Sequence, residues 1–174
     1  MSLDAGLHPL ENLSGNEEVL LIGVHGGRSE GFEWIYPLQT IDNDKTITFF
    51  YRWNDGACTS PAARNLLNYI SSLINENINL ELVVIVGHSY GGVLVSSLVE
   101  KWDEALPIEI HSVAGPLAGF DSKCNYQPPV VIAKKVSFYE WRTQHELDGA
   151  FKSLKTDPQV INLEGSKVTL LPDT

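Results

Sequence analysis

Apolar positions along the chain fall alternately into short unbroken runs and into longer, spaced patterns. Val19-Leu20-Leu21-Ile22-Gly23-Val24 is an unbroken run halted by His25-Gly26-Gly27, the pattern of a strand buried on both faces. Phe32, Trp34, Ile35, Tyr36 and Leu38 suggest a short helix or an irregular apolar segment, with Pro37 weakening the helix. Thr46 to Arg52, rich in β-branched and aromatic residues, predicts a second strand. Leu66, Leu67, Tyr69, Ile70, Leu73 and Ile74 recur at helical spacing behind Ser60-Pro61, which reads as an N-cap followed by proline at the first helical position.

Leu82 to Val86 predicts a third strand that runs directly into Gly87-His88-Ser89-Tyr90-Gly91-Gly92. A helical pattern leaves from Val93 and reaches about Ala105, before Pro107. Ile108 to Val113 predicts a fourth strand, and another follows near Val136 to Tyr139. Gly149 to Leu154 suits one helical turn or two, and Val160 to Leu163 and Val168 to Leu171 read as short strands. Strands alternating with helices imply an α/β fold, a single-domain, mostly parallel sheet with helices on both faces. The 174 residues are read as one such domain, with about 1–16 as an N-terminal extension.

Charge narrows the partners. Twelve Lys and Arg against twenty-two Asp and Glu give a net charge of −10, with no basic cluster, which points away from nucleic acid and anionic membrane. No apolar run approaches the length of a bilayer span, so no stable membrane insertion is expected. Cys58 and Cys124 lie far apart without metal-binding or CxxC spacing, and are expected as two separate thiols. That favours a cytoplasmic location.

Chemistry concentrates in Gly87-x-Ser89-x-Gly91. A strand enters it and a helix leaves it, where a strained turn holds a serine hydroxyl at the sheet edge. Side chains in place of the two glycines would collide as strand and helix approach. A serine hydroxyl needs a base to take its proton and donors to hold the oxyanion that follows. The Tyr90 backbone N–H at the helix start and the loop His25-Gly26-Gly27 offer such donors. No G-x-G-x-x-G fingerprint is present, and the second strand ends at Arg52-Trp53 instead of a ribose-binding carboxylate, so a nucleotide-binding reading fades. Phe32, Trp34 and Tyr36 fit core packing better than an acyl pocket.

With these motifs the chain resembles the α/β-hydrolase superfamily, and within it the small lipase- and esterase-like members. The resemblance runs from about Leu20 to Leu171 through Val24-His25-Gly26-Gly27, Val86 to Gly92, and Ser112-Val113-Ala114-Gly115-Pro116. It implies Ser89 as nucleophile, Tyr90 and Gly26 or Gly27 as oxyanion donors, a small-molecule ester or thioester as substrate, and neither a metal nor an organic cofactor. It also implies an acid and then a histidine on later loops. Asp148 matches the acid position best, with Asp121 and Glu140 as weaker substitutes. Only His111 and His145 follow Ser89; His111 alternates within a strand and reads as a sheet-face residue. The base is then His145 in an altered chain order, or a histidine beyond Thr174, or absent in a catalytically silent binding domain. There is little room for a large cap, although Leu117 to Val131 could form a small lid.

Overall fold

The computed structural model describes residues 4–29, 31–119 and 124–172, which form one seven-stranded sheet with helices on both faces. Its elements are β1 (Gly6–Pro9), β2 (Val19–Val24), a 3-10 turn (Phe32–Trp34) leading into α1 (Ile35–Ile41), β3 (Thr46–Arg52), α2 (Thr59–Glu76), β4 (Leu82–His88), α3 (Tyr90–Ser96), β5 (Ile108–Val113), β6 (Val136–Arg142) and β7 (Lys167–Leu170). The strand order is β1-β3-β2-β4-β5-β6-β7, with β1 antiparallel to β3 and every other pair parallel. Strand β1 falls within the segment read as an N-terminal extension; its Pro9, which has no N–H for a ladder, is tolerated because this is an edge strand.

Side-chain alternation divides the core in two. Leu20, Ile22 and Val24 of β2 face Ala63, Leu66 and Ile70 of α2 and Val93, Leu94 and Val95 of α3. On the opposite face, Leu21 and Phe50 pack with Trp34 and Leu38. Helix α1 is short, so this second face is well covered only near β2 and β3. Farther along it, Val84, Val86, His111, Val113, Tyr139 and Trp141 are half-buried. His111 lies on this face, stacked on Tyr139 with ring centroids 4.4 Å apart, and its Nδ1 accepts the Trp141 indole N–H at 3.1 Å. It is the sheet-face histidine that its alternation predicts.

Several boundaries differ from the sequence expectations, each for a local reason. Helix α2 begins at Thr59 with Cys58 as N-cap, which puts Pro61 third instead of first. Proline is accepted throughout the first turn, whose N–H groups have no intrahelical acceptor, so it did not mark the boundary. Pro37 is likewise third in α1, which is how that helix accommodates it.

Helix α3 starts three residues earlier than the apolar pattern suggests and stops at Ser96. Both Ser96 and Ser97 return their hydroxyls to the Val93 carbonyl, at 2.8 and 3.3 Å, competing with the helical ladder. The chain continues in tighter turns, with bonds from Ser97, Leu98 and Val99 N–H to the carbonyls of Leu94, Val95 and Ser96. These still bury Leu98, Val99 and Trp102, which supplied the helical pattern.

Val160 to Leu163 forms no strand, because β7 already occupies the free edge of β6. The two cysteines are not separate thiols. Cys58 and Cys124 are joined in a disulfide with Cα atoms 5.4 Å apart. Cys58 follows the C-terminal end of β3 and Cys124 follows that of β5, so the parallel topology brings to one edge two residues that stand 66 positions apart. Among the described residues no helix is long and apolar enough to cross a membrane.

Candidate active site

Strands β2 and β4 are parallel neighbours with Val24 paired to Gly87, so the chain leaves both at the same edge, side by side. From β2 it enters His25-Gly26-Gly27; from β4 it turns through Ser89 into α3. Ser89 has φ 53° and ψ −119°, a left-handed backbone that side chains disfavour, typically by about 1–3 kcal/mol. Its N–H donates to the Val113 carbonyl at 2.8 Å, which ties the turn to the end of β5. Tyr90 opens α3, where main-chain N–H vectors point along the axis toward the serine end.

Glycine is required here by backbone contact. A Cβ on Gly87 would lie 2.4 Å from the Gly91 carbonyl oxygen, and one on Gly91 would lie 2.4 Å from that of Val24 and 2.6 Å from that of His25. Main chain therefore rests on main chain through three layers: strand end, serine turn and glycine loop. Gly26 is set against Ser89, and Gly27 faces the Tyr90 ring and the Asp55 carboxylate.

Asp148 lies in the loop after β6, at the same edge as Ser89 because β4, β5 and β6 run parallel. Its Oδ2 accepts the Thr143 hydroxyl at 2.5 Å, and its Oδ1 accepts the N–H groups of Ala150 and Phe151 at 2.7 and 3.2 Å. The buried Gln159 holds the base of this loop by accepting the Thr143 N–H at 2.9 Å. Thr143 and Gln159 were not singled out from the sequence, since a polar pair sixteen residues apart has no local signature. Desolvation keeps the His88 imidazole below its ordinary histidine value, while the charges of Glu33 and Asp148 pull it the other way. Asp148 therefore acts electrostatically on the residue before Ser89.

His145 lies in the same loop, with Nε2 donating to the Phe151 carbonyl at 2.9 Å. Among the described residues, neither an imidazole nor a carboxylate is hydrogen-bonded to the Ser89 hydroxyl. Glu140 is buried and engaged through Oε2 by Arg142 Nη2 at 2.7 Å, which makes it a structural carboxylate. Asp121 and the side chain of Phe32 lie outside the described residues, as does the 120–123 part of the anticipated lid. Trp34 is buried beside Leu38 as core, whereas Tyr36 is 78% exposed. A narrow cleft beside Tyr90 is lined by Asp55, Thr59, Val93, Pro116 and Tyr126.

No protein-family model and no curated protein sequence matches the chain. Solved structures do. A lipase-esterase related protein from Clostridium acetobutylicum superposes with a TM-score of 0.63 at 11% identity, covering 95% of this chain and 90% of its own. A marine microorganism esterase gives 0.59 at 13% identity, over 98% and 91%. MGS-M1, an alpha/beta hydrolase enzyme from a Medee basin deep-sea metagenome library, gives 0.59 at 15% identity, over 90% and 68%. This is the α/β-hydrolase fold. The superposed region spans nine-tenths or more of the chain in each case.

Proposed function

We propose that the protein is a serine hydrolase that cleaves a small carboxylic ester or thioester through an acyl-enzyme intermediate, without metal or organic cofactor and without a nucleic-acid partner. The observation that carries this reading is the contact of the Gly26-Gly27 loop with a half-buried serine in a strained strand-to-helix turn. The neighbouring structures, a lipase-esterase related protein and an esterase, support ester chemistry.

In this mechanism Ser89 Oγ attacks the ester carbonyl carbon and its proton passes to an imidazole. The tetrahedral oxyanion is held by the N–H of Tyr90 and that of Gly26 or Gly27, in the angle between loop and helix. Collapse expels the alcohol or thiol, which takes the proton, and water then repeats the sequence on the acyl-enzyme. Asp148 is the acid: its carboxylate is already oriented by three donors and its field reaches the serine turn. His145 is the imidazole of the same loop, and it takes the base role once its Nε2 leaves the Phe151 carbonyl.

A second reading, a hydrolase-like domain that binds a ligand without turning it over, is favoured by that same His145–Phe151 bond. A fluorophosphonate probe separates the two, since it labels Ser89 only when a base activates the hydroxyl. Labelling that disappears in Ser89→Ala, together with turnover of short-chain p-nitrophenyl esters, is the expected result. A folded wild-type protein that resists the probe and leaves the esters intact would establish the binding domain instead.

A further inference from the structure

His25 is fully buried at the end of β2, yet it makes more polar contacts than its role as the end of a strand requires. Its Nδ1 lies 2.8 Å from the Gly26 carbonyl oxygen, which only accepts, so Nδ1 carries the proton. Its Nε2 lies 3.1 Å from Arg52 Nη1, 3.1 Å from the Trp53 N–H and 3.1 Å from the Trp53 carbonyl. Two of these neighbours are donors, and one of them is a cation. The Trp53 indole N–H donates to the His25 carbonyl at 3.0 Å, and Arg52 Nη1 donates to the Ser29 carbonyl at 2.9 Å, so the loop is clamped at both ends.

The peptide between Gly26 and Gly27 is planar and trans, so its carbonyl and its N–H point in opposite directions. Fixing the Gly26 carbonyl therefore fixes where the Gly27 N–H points. Because the glycines have no side chains to lock their own backbone, that direction must come from elsewhere. We propose that His25, held as the neutral Nδ1–H tautomer by Arg52 and Trp53, is the positioning residue that aims the Gly27 N–H at the oxyanion formed on Ser89. Its effect on turnover rests on the hydrolase reading; its effect on the loop does not.

The charges facing His25 come from three places. Desolvation opposes protonation, as does Arg52 on β3, whereas Asp55 after β3, Glu33 in the 3-10 turn and the carbonyls of Gly26 and Trp53 favour it. Burial is the largest influence and sets the imidazole below the ordinary histidine value. A second proton would go onto Nε2, where the Trp53 carbonyl could accept it but Arg52 and the Trp53 N–H would lose their acceptor, and the clamp would break on the acid side.

The test combines two readouts. Imidazole nitrogen NMR on the intact wild-type protein should show His25 protonated on Nδ1 alone at neutral pH, with the Gly27 amide resonance following the His25 titration. Arg52→Gln should move that titration toward higher pH. In steady-state assays, His25→Ala should lower kcat by roughly a hundredfold, the effect of losing one oxyanion donor, with little change in KM. His25→Asn, whose carboxamide N–H replaces Nδ1–H, should recover a large part of it.

A proton on Nε2, or a Gly27 amide indifferent to His25, overturns the proposal, and so does a folded His25→Ala with wild-type kcat. If His25→Ala fails to fold, the wild-type and Arg52→Gln titrations decide. If the wild type has no esterase activity while the tautomer and the Gly27 coupling are as described, the hydrolase reading falls and the clamp stands.

Discussion

Gly26 stands directly against Ser89: a Cβ built on the glycine lies 3.0 Å from the serine Cβ and 3.0 Å from the His88 carbonyl oxygen. Such a contact is tighter than side-chain carbons normally tolerate, and the neighbours on both sides are fixed by main-chain packing. Gly27 has room, with its nearest neighbour the Tyr90 ring at 3.7 Å. Gly26→Val should therefore push the loop off the serine and lower ester turnover by about a hundredfold or more. Gly27→Ala should be much milder. Comparing kcat for the two variants, with circular dichroism to confirm the fold, checks this ordering; equal losses would contradict it.

Ser89 holds a backbone conformation suited to glycine, with φ 53°. Ser89→Gly should raise stability by about 1 kcal/mol while abolishing turnover, whereas Ser89→Ala should abolish turnover without that gain. The midpoints of urea unfolding for the three proteins decide it. A glycine variant less stable than the wild type would contradict the assignment of strain.

The Cys58–Cys124 bridge closes a loop across 66 positions of sequence. On the chain-entropy account, constraining the unfolded state over that length contributes roughly 4 kcal/mol. Reduction, or the pair Cys58→Ser and Cys124→Ser, should lower Tm by several degrees. Because Cys124 also borders the cleft beside Tyr90, KM should respond more than kcat. An unchanged melting curve under reductant would show the bridge to contribute nothing.

Glu17 accepts hydrogen bonds from the main-chain N–H groups of Ser14 and Gly15, and these hold its carboxyl down at about 2. The depression stabilises the fold above the ordinary carboxyl value of about 4.5 and is lost as pH falls from there toward 2. Glu17→Gln should therefore be less stable than wild type at pH 6, with the gap closing toward pH 2. Chemical denaturation across that range measures it, and a gap independent of pH would disprove it.

Elements whose pattern is dictated by burial were legible in the sequence. Strands β2, β3 and β5 have the predicted bounds, because continuous or alternating apolar residues leave no other register. Boundaries set by polar back-bonding were not: Ser96 and Ser97 end α3 inside an apolar pattern that runs on to Trp102. Pairings made only by topology were also hidden. The four residues of β1 find their partner in β3 across a long gap, and the disulfide joins two loops that share nothing but an edge. In the candidate site, Ser89 and the glycine loop announced themselves through spacing, and the structure brings them together. The supports behind them, Arg52 on His25 and Gln159 under Thr143, are single polar contacts between distant segments and carry no periodicity.

The stacked trio on the partly covered face also makes the protein its own optical indicator. Trp34, Trp53 and Trp102 are buried, and only Trp141 gives its indole proton to an imidazole, that of His111. Desolvation keeps His111 neutral to lower pH than an ordinary histidine. When His111 finally takes a proton on Nδ1, Trp141 loses its acceptor and meets a cation in its place. Its emission should then change in a step that reports the state of this face, at the far side of the sheet from α3, distinct from any response of Trp53, whose indole N–H is bonded to the His25 main chain.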